Sequence, residues 1–289
     1  MLRLRPLTWL FILTLTVGCP APPYEPDDDD ASGDDDTSGD DDTGDDDTGD
    51  DDTGDDDTGD DDTGDDDTGD DDSGGATEYM YAQTTDELFA VDKDPPHDVT
   101  YIGTFSQDEI TDLAVDIDGR MYAVTFDEVF EVDPLTAALT SVATLADASL
   151  FAMTALADGT MLLGSDDAIY EVNVATGQVD YFDSLGNWEF AGDMVGLPDG
   201  LLYCLVWPSD HWAESTSLVV YDPATGTTTE IGETGHGSMF GVGFADWTMY
   251  GFNRDGEILD IDYETGAASV IANPGHDFWG AATNPLKWD

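Results

Sequence analysis

The chain has 289 residues, of which 67 are acidic and only six are Lys or Arg, so its formal net charge is −61. A molecule this acidic repels phosphate backbones, which excludes nucleic acid as a partner. Part of the charge is concentrated in 28 Asp residues between Asp27 and Asp72, while residues 76–289 still hold 38 acidic residues against four basic ones.

The first 18 residues show the zones of a secretory signal. Arg3 and Arg5 precede an apolar run over residues 7–17, and the small Gly18 follows. The run is about 11 residues long, whereas a membrane-spanning helix needs about 20. The pattern predicts a cleaved signal peptide over residues 1–18.

The tetrapeptide "TVGC" that ends at Cys19 resembles the lipobox of bacterial lipoproteins, where a peptidase cuts before a cysteine that then carries lipid. The resemblance implies secretion across the inner membrane and a lipid anchor on Cys19. Because Pro20 and not Asp follows the cysteine, it also implies delivery to the outer membrane, with the leaflet left open. The alternative is an ordinary secretion signal in which the cysteine is incidental.

Residues 19–75 form a low-complexity segment, with Asp-Asp-Asp-Thr-Gly repeating every five residues. A segment with almost no apolar residues and strong self-repulsion cannot offset its ordering entropy, which predicts a disordered tether. Carboxylates are ligands for Ca²⁺, but the spaced ligands and closing Glu of a calcium loop are missing. We therefore predict a diffuse cation atmosphere and no cofactor, with Ca²⁺ binding as the less favoured alternative.

Residues 76–289 contain five copies of one sequence pattern. "DGRMYAVTFDEVFEVD" from Asp118 aligns with "DGTMLLGSDDAIYEVN" from Asp158, and further copies begin at Asp199 and Asp246. A first copy opens at Glu78. The spacings of 40, 41 and 47 residues lie in the range of four-stranded propeller blades.

Each copy alternates apolar and polar residues with period two, and turns such as "DPATG" separate the strands. An additional apolar strand precedes copies two to five: "ITDLAV", "LFAMTA", "FAGDMVG" and "MFGVGF". The strand missing before the first copy stands at the C-terminal end as "FWGAAT". We predict an all-β domain over residues 76–289, a five-bladed β-propeller closed by the C-terminal strand joining the first blade.

Residues 76–288 resemble secreted bacterial β-propellers with "LY.vd..tG....ig" repeats, similar in appearance to the NHL and YVTN types. The resemblance implies the fold strongly but the function weakly, because such propellers include binding modules, scaffolds, lactonases and lyases. We expect a monomer.

Candidate binding residues lie in loops predicted to share one face of the propeller. His236 and His276 occupy matching places in consecutive copies, and a longer loop in the fourth blade carries Trp207, His211 and Trp212. Trp188 is predicted on the same face. Histidines suit a metal or a sugar, and tryptophans suit sugar rings or protein partners. The alternatives are a copied polar turn residue and a loop that packs on its own tryptophans.

These features favour a membrane-anchored envelope module that binds a glycan, a cell-wall fragment or a protein. One alternative is a structural spacer without a small ligand. The other is a metal-dependent hydrolase or lyase using Asp112, Asp193 and Asn284 of the inner strands, which we disfavour because no catalytic motif accompanies them. Cys204 is predicted to be a small buried apolar residue without a disulfide partner.

Overall fold

Residues 76–145, 149–209 and 215–288 are described by a computed structural model. They form five four-stranded antiparallel sheets, here called blades I to V, which confirms the predicted all-β five-bladed propeller. Cys19, the signal segment and the acidic segment 19–75 lie outside the described residues, as do His211 and Trp212.

Blades II to V each consist of four consecutive strands, with the first one innermost, whereas in blade I the innermost strand is the last strand of the chain. Blade I contains β1 (Met80–Gln83), β2 (Glu87–Val91), β3 (Val99–Thr104) and, innermost, β20 (Gly280–Thr283). Blade II contains β4 (Asp112–Val115), β5 (Met121–Val124), β6 (Glu128–Val132) and β7 (Leu139–Thr144). Blade III contains β8 (Leu150–Ala155), β9 (Met161–Ser165), β10 (Ala168–Asn173) and β11 (Gln178–Ser184). Blade IV contains β12 (Trp188–Gly196), β13 (Leu202–Pro208), β14 (Ser217–Asp222) and β15 (Thr227–Glu233). Blade V contains β16 (Met239–Ala245), β17 (Thr248–Asn253), β18 (Ile258–Ile261) and β19 (Ala268–Ala272).

Burial falls from the inner to the outer strand of each blade. In blade II every residue of β4 and β5 is buried, β6 alternates near its end, and β7 is largely exposed. The inner strands are buried on both faces because each blade packs between two neighbours, so they are continuous apolar runs instead of alternating ones. The core consists of several clusters, most of which join residues of two adjacent blades.

The turns follow from their sequences. In "DPATG", the Asp222 carboxylate accepts from the Ala224 N–H at 2.9 Å and from the Thr225 hydroxyl at 2.8 Å. Gly226 then takes a φ of 66°, which an L side chain rarely adopts. The one helix among the described residues is a 3₁₀ turn, Pro285–Lys287, so no described helix is long and apolar enough to cross a bilayer.

The ring is closed by β20, as the repeat offset predicted. Met80 of β1 pairs with Thr283, and Gln83 pairs with Gly280, in an antiparallel ladder between the two ends of the domain. The Asn284 side-chain amide then donates to the backbone oxygens of Ala76 at 3.1 Å and Glu78 at 2.9 Å. The closing strand is thereby fixed at the point where the domain begins.

The propeller has two distinct faces. The inner strands begin at the upper face, where the hairpins between second and third strands also lie, and they end at the lower face. Ala76 donates its N–H to the Gly119 oxygen at 2.7 Å, and Gly119 belongs to a lower-face turn. Both ends of the described domain therefore leave from the lower face.

Small residues allow the inner strands to approach one another closely. A Cβ built on Gly241 of β16 would lie 2.8 Å from the backbone carbonyl carbon of Gly280 in the neighbouring blade. On the same strand, a Cβ on Gly243 would meet side chains and no backbone among its nearest neighbours, with the flexible Met80 sulfur at 3.1 Å and the Phe252 ring at 3.6 Å. The first contact involves two backbones, which cannot easily move apart.

We predict that Gly241→Ala destabilises the protein by about 1–3 kcal/mol, because the added methyl overpacks the junction between blades V and I. Gly243→Ala on the same strand is the matched control and is expected to cost less than about 1 kcal/mol. Urea unfolding of both variants measures the difference. Equal effects would contradict the backbone contact.

Candidate functional site

A cavity of about 250 Å³ lies at the upper face, and all five blades contribute to it. Its position on the propeller axis follows from this, because only the axis is shared by every blade. Half of the lining residues are aromatic, and the rest are charged, polar or small: Thr111, Phe126, Phe151, Asp166, Glu189, Phe190, Ala191, Gly192, Trp207, Phe240, Arg254 and Trp279.

Two repeat-equivalent positions supply most of the lining. The first is the second residue of each innermost-strand segment. The second lies five residues after the first Met or Leu in the second strand of the blade. All five residues at the first position line the cavity: Thr111, Phe151, Ala191, Phe240 and Trp279. Four of the five at the second position do so: Phe126, Asp166, Trp207 and Arg254, with Thr85 as the fifth equivalent.

Backbone hydrogen bonds between blades fix the second position. The Phe126 oxygen accepts from the Leu150 N–H at 2.9 Å, and the Asp166 oxygen accepts from the Phe190 N–H at 2.7 Å. The Thr85 oxygen accepts from Ile110 at 3.0 Å in the same way. Three of the five hairpins at the cavity rim are thus tied to the next blade, which makes this part of the lining rigid.

Aromatic pairs form two sides of the cavity. Phe126 and Phe151 meet edge to face with ring centroids 5.9 Å apart, and Phe240 and Trp279 are tilted with centroids 5.8 Å apart. Both arrangements are favoured by the ring quadrupoles. These four rings are half-buried, so part of each remains available to a ligand.

The charged lining residues differ in how they are paired. The Arg254 Nε donates to the Asp277 carboxylate at 2.9 Å, and its guanidinium lies 4.9 Å from the Trp279 ring centroid. Asp166 is exposed and Glu189 is half-buried. Across residues 76–145, 149–209 and 215–288, neither of these carboxylates forms an ion pair with a basic side chain.

Two fully buried carboxyl groups lie on the inner strands, each directly after a lining residue. Asp112 Oδ2 accepts from the Met153 N–H of blade III at 2.6 Å. Asp193 Oδ1 accepts from the Met194 N–H at 2.5 Å, and its Oδ2 accepts from the Val242 N–H of blade V at 2.8 Å. The two side chains connect blades II and III and blades IV and V.

Burial favours a protonated carboxyl in this pair. Burial raises the pKa of Asp193 to about 8 and raises the pKa of Asp112 well above its usual value, where the nearby Asp193 charge adds to the effect. Asp112 Oδ1 is the one oxygen of the pair that accepts no N–H bond. A proton on this oxygen can donate to Asp193, which satisfies both groups.

The structure separates the predicted binding residues. Trp207 lines the cavity. Trp188 begins β12 and packs against a buried cluster of blades III and IV. His276 stacks on Phe89 with ring centroids 4.4 Å apart, and the His236 backbone oxygen accepts from the Thr216 N–H at 2.9 Å. Neither histidine lines the cavity, while His211 and Trp212 lie outside the described residues.

The inner-strand residues considered for metal chemistry do not converge. Asp112 and Asp193 face one another, but Asn284 caps the 3₁₀ turn on the lower face. Within the described ranges no group of three or more His, Cys, Asp or Glu side chains could hold a metal ion. Cys204 is fully buried in a core cluster, as predicted, and burial raises the pKa of its thiol.

A second depression of about 220 Å³ lies on blade V alone. It contains Trp247, Tyr263 and the carboxylates of Asp260, Asp262 and Glu264. Asp262 is engaged in its own turn, since its Oδ1 accepts from the N–H groups of Glu264 at 2.9 Å and Thr265 at 3.2 Å. This depression provides a useful comparison for the axial cavity.

Sequence reasoning placed its candidate residues on the face where this cavity opens, but it did not predict most of the lining. Phe151, Phe240 and Trp279 stand in strand segments that the repeat alignment assigned to the core. The sequence did contain a signal for these residues, because some positions of the repeat are constant among the five copies while others vary. The repeat column at the start of the second strand, with Met80, Met121, Met161, Leu202 and Met249, is always Met or Leu, whereas the second residue of the innermost segment is Thr, Phe, Ala, Phe and Trp in turn.

No protein-family model matches the chain, and no curated protein matches it. Among solved structures it is similar to a symmetrical protein described as emerging de novo in evolution under folding constraints. That comparison gives 15% identity and a TM-score of 0.52 over 72% of this chain and 99% of the other. A chain in the crystal structure of a nidogen/laminin complex is 12% identical, with a TM-score of 0.50 over 70% of this chain and 96% of the other. At these identities the likeness concerns the fold alone, that of a β-propeller.

The buried carboxyl pair leads to a prediction about pH. Above about pH 4 the unfolded chain has released the proton that the folded pair retains up to about pH 8, so the folded state binds more protons in this window. Stability must therefore fall as pH rises from about 4 to 8.

Asp112→Asn places an amide donor where the protonated oxygen lies and removes the titration. At each pH we compare the free energy of unfolding of the variant with that of the unaltered protein. We expect this difference to favour the variant more at pH 8 than at pH 5, by more than about 1 kcal/mol. Urea unfolding at the two pH values measures this difference, in which the many surface acids cancel. Parallel curves for the two proteins would contradict a shared proton.

Proposed function

We propose that the protein is a binding module whose propeller holds a small ligand, or one end of a larger one, in the axial cavity. The cavity itself supports the proposal. All five blades repeat one backbone, yet they place different side chains around a single space. A spacer has no need for aromatic side chains that remain half-exposed at a rigid rim.

The expected cellular setting fits a displayed binding module. In this proposal Cys19 carries the lipid anchor in the outer membrane, and the acidic segment 19–75 extends the propeller away from it as a monomer. Segments with such high charge density are extended by self-repulsion. The module would then meet ligands that are present at the cell envelope.

The size and lining of the cavity restrict the ligand. A volume of about 250 Å³ is at the lower end for ligand sites and is too small for a protein surface. A saccharide end, a fragment of the cell wall or another small molecule fits this volume. The cavity lining also includes Trp207, one of the residues that the sequence predicted for binding.

We predict that a bound small molecule raises the unfolding temperature of the full-length protein. A ligand at about 100 times its dissociation constant adds about 2.7 kcal/mol, which is about 5–11 °C for a domain of this size. Differential scanning fluorimetry against saccharides, peptidoglycan fragments and small organic ions measures the shift. Trp279→Ala is expected to abolish it.

Trp247→Ala is the matched control, because Trp247 is 62% exposed and lies outside the axial cavity. It is expected to retain the full shift. A shift lost in Trp247→Ala but kept in Trp279→Ala would place binding on blade V and contradict the proposal. Absence of any shift across the panel would favour the structural-spacer alternative.

A further inference from the structure

We infer that the axial cavity binds an organic cation carrying a methylated ammonium group, which aromatic faces and two carboxylates hold together. This inference rests on the proposed function and specifies the ligand class. It is drawn from the lining residues, their pairing and the charge of the surrounding protein.

Six aromatic side chains surround the space. Phe126 and Phe151 come from blades II and III, Phe240 and Trp279 from blades V and I, and Phe190 and Trp207 from blade IV between them. Ring faces attract cations through their quadrupoles, and the attraction grows when water is excluded. The Trp279 ring already has the Arg254 guanidinium 4.9 Å from its centroid, so its surroundings are compatible with a cation.

The lining charges favour a cation over an anion. Asp166 and Glu189 have no ion pair with a basic side chain among the described residues, whereas the Arg254 charge is balanced by Asp277 at 2.9 Å. The local formal charge is therefore negative. Residues 76–289, with 38 acidic residues against four basic ones, add a long-range field that concentrates cations near the cavity.

The combination of aromatic walls with carboxylates that lack an ion pair in the described ranges favours a methylated cation over the other main ligand classes. A strongly hydrated metal ion needs several oxygen ligands to replace its water, and the described residues offer no such group. A sugar could hydrogen-bond to Asp166 and Glu189, but it would gain nothing from their negative charge and would place other hydroxyl groups against phenylalanine rings. A methylated ammonium group has a positive charge but no need for strong hydrogen bonds, so it matches both features.

The test compares choline with 3,3-dimethylbutan-1-ol, in which a neutral carbon replaces the charged nitrogen while the shape is kept. Isothermal titration of the full-length protein is done in about 150 mM salt, where the Debye length is about 8 Å and diffuse attraction to the acidic chain is weakened. We expect choline to bind at least about ten times more tightly than the neutral isostere.

Variants locate that binding. Trp279→Ala leaves the net charge unchanged and is expected to lower choline affinity at least about ten-fold. Its matched control is Trp247→Ala, since Trp247 also lies beside carboxylates. Glu189→Gln should weaken choline but not the isostere. Its control, Glu131→Gln, removes the same charge from an exposed position of β6 and should change neither.

Equal affinity for choline and its isostere would overturn the inference and leave a hydrophobic site, so the proposed binding function would stand. Binding of a saccharide through Trp279, without binding of choline, would also overturn the inference and leave the proposed binding function standing. Choline affinity that Trp279→Ala leaves intact would also overturn it. Binding to phosphatidylcholine vesicles in addition to choline would support the inference and identify a lipid head group as the source of the cation.

Discussion

The pairing of β20 with β1 is the constraint on which the rest of the molecule depends. It joins residues about 200 positions apart, Met80 with Thr283, and it turns a row of blades into a ring. Without it both edges of blade I would offer unpaired backbone groups. The cavity depends on it as well, because blade I reaches the lining only through Trp279, the residue immediately before β20.

Closing five blades around one axis leaves little space at the centre, and the chain fills it with few side-chain types. Glycines allow backbone contact between blades, and side-chain oxygens accept N–H groups from the adjacent inner strand. Thr154 accepts from the Gly196 N–H at 3.1 Å, and Thr283 accepts from the Phe244 N–H at 2.7 Å. With Asp112 and Asp193, these bonds connect four of the five junctions. A buried polar network of this kind stabilises one arrangement only when every group is satisfied, which the shared proton achieves.

The fold was predictable because the same local rule appears five times. Period-two strands, turns with Pro and Gly, and the offset of "FWGAAT" to the C-terminal end all indicated the closed ring. The site was less predictable, since the same apolar letters serve the core and the cavity. Phe252 of β17 is fully buried, whereas Phe240 of β16 lines the cavity, and only the position along the strand separates them. His236 and His276 show the reverse case, in which a repeated polar residue does not mark the lining.

Different positions of the repeat serve the core and the cavity. Residues that begin the second strands are fully or almost fully buried, and a change there disturbs two blades. Four of the aromatic lining residues, Phe126, Phe151, Phe240 and Trp279, are instead half-buried at the rim. Substitutions at the rim can therefore alter the cavity with little effect on the core.

The placement of the two chain ends has a consequence for how the cavity is presented. Ala76 is bonded to a lower-face turn, and the C-terminal strand ends on that same side, whereas the cavity opens on the upper face. The two ends of the described domain, Ala76 and Trp288, therefore lie on the face opposite to the cavity entrance.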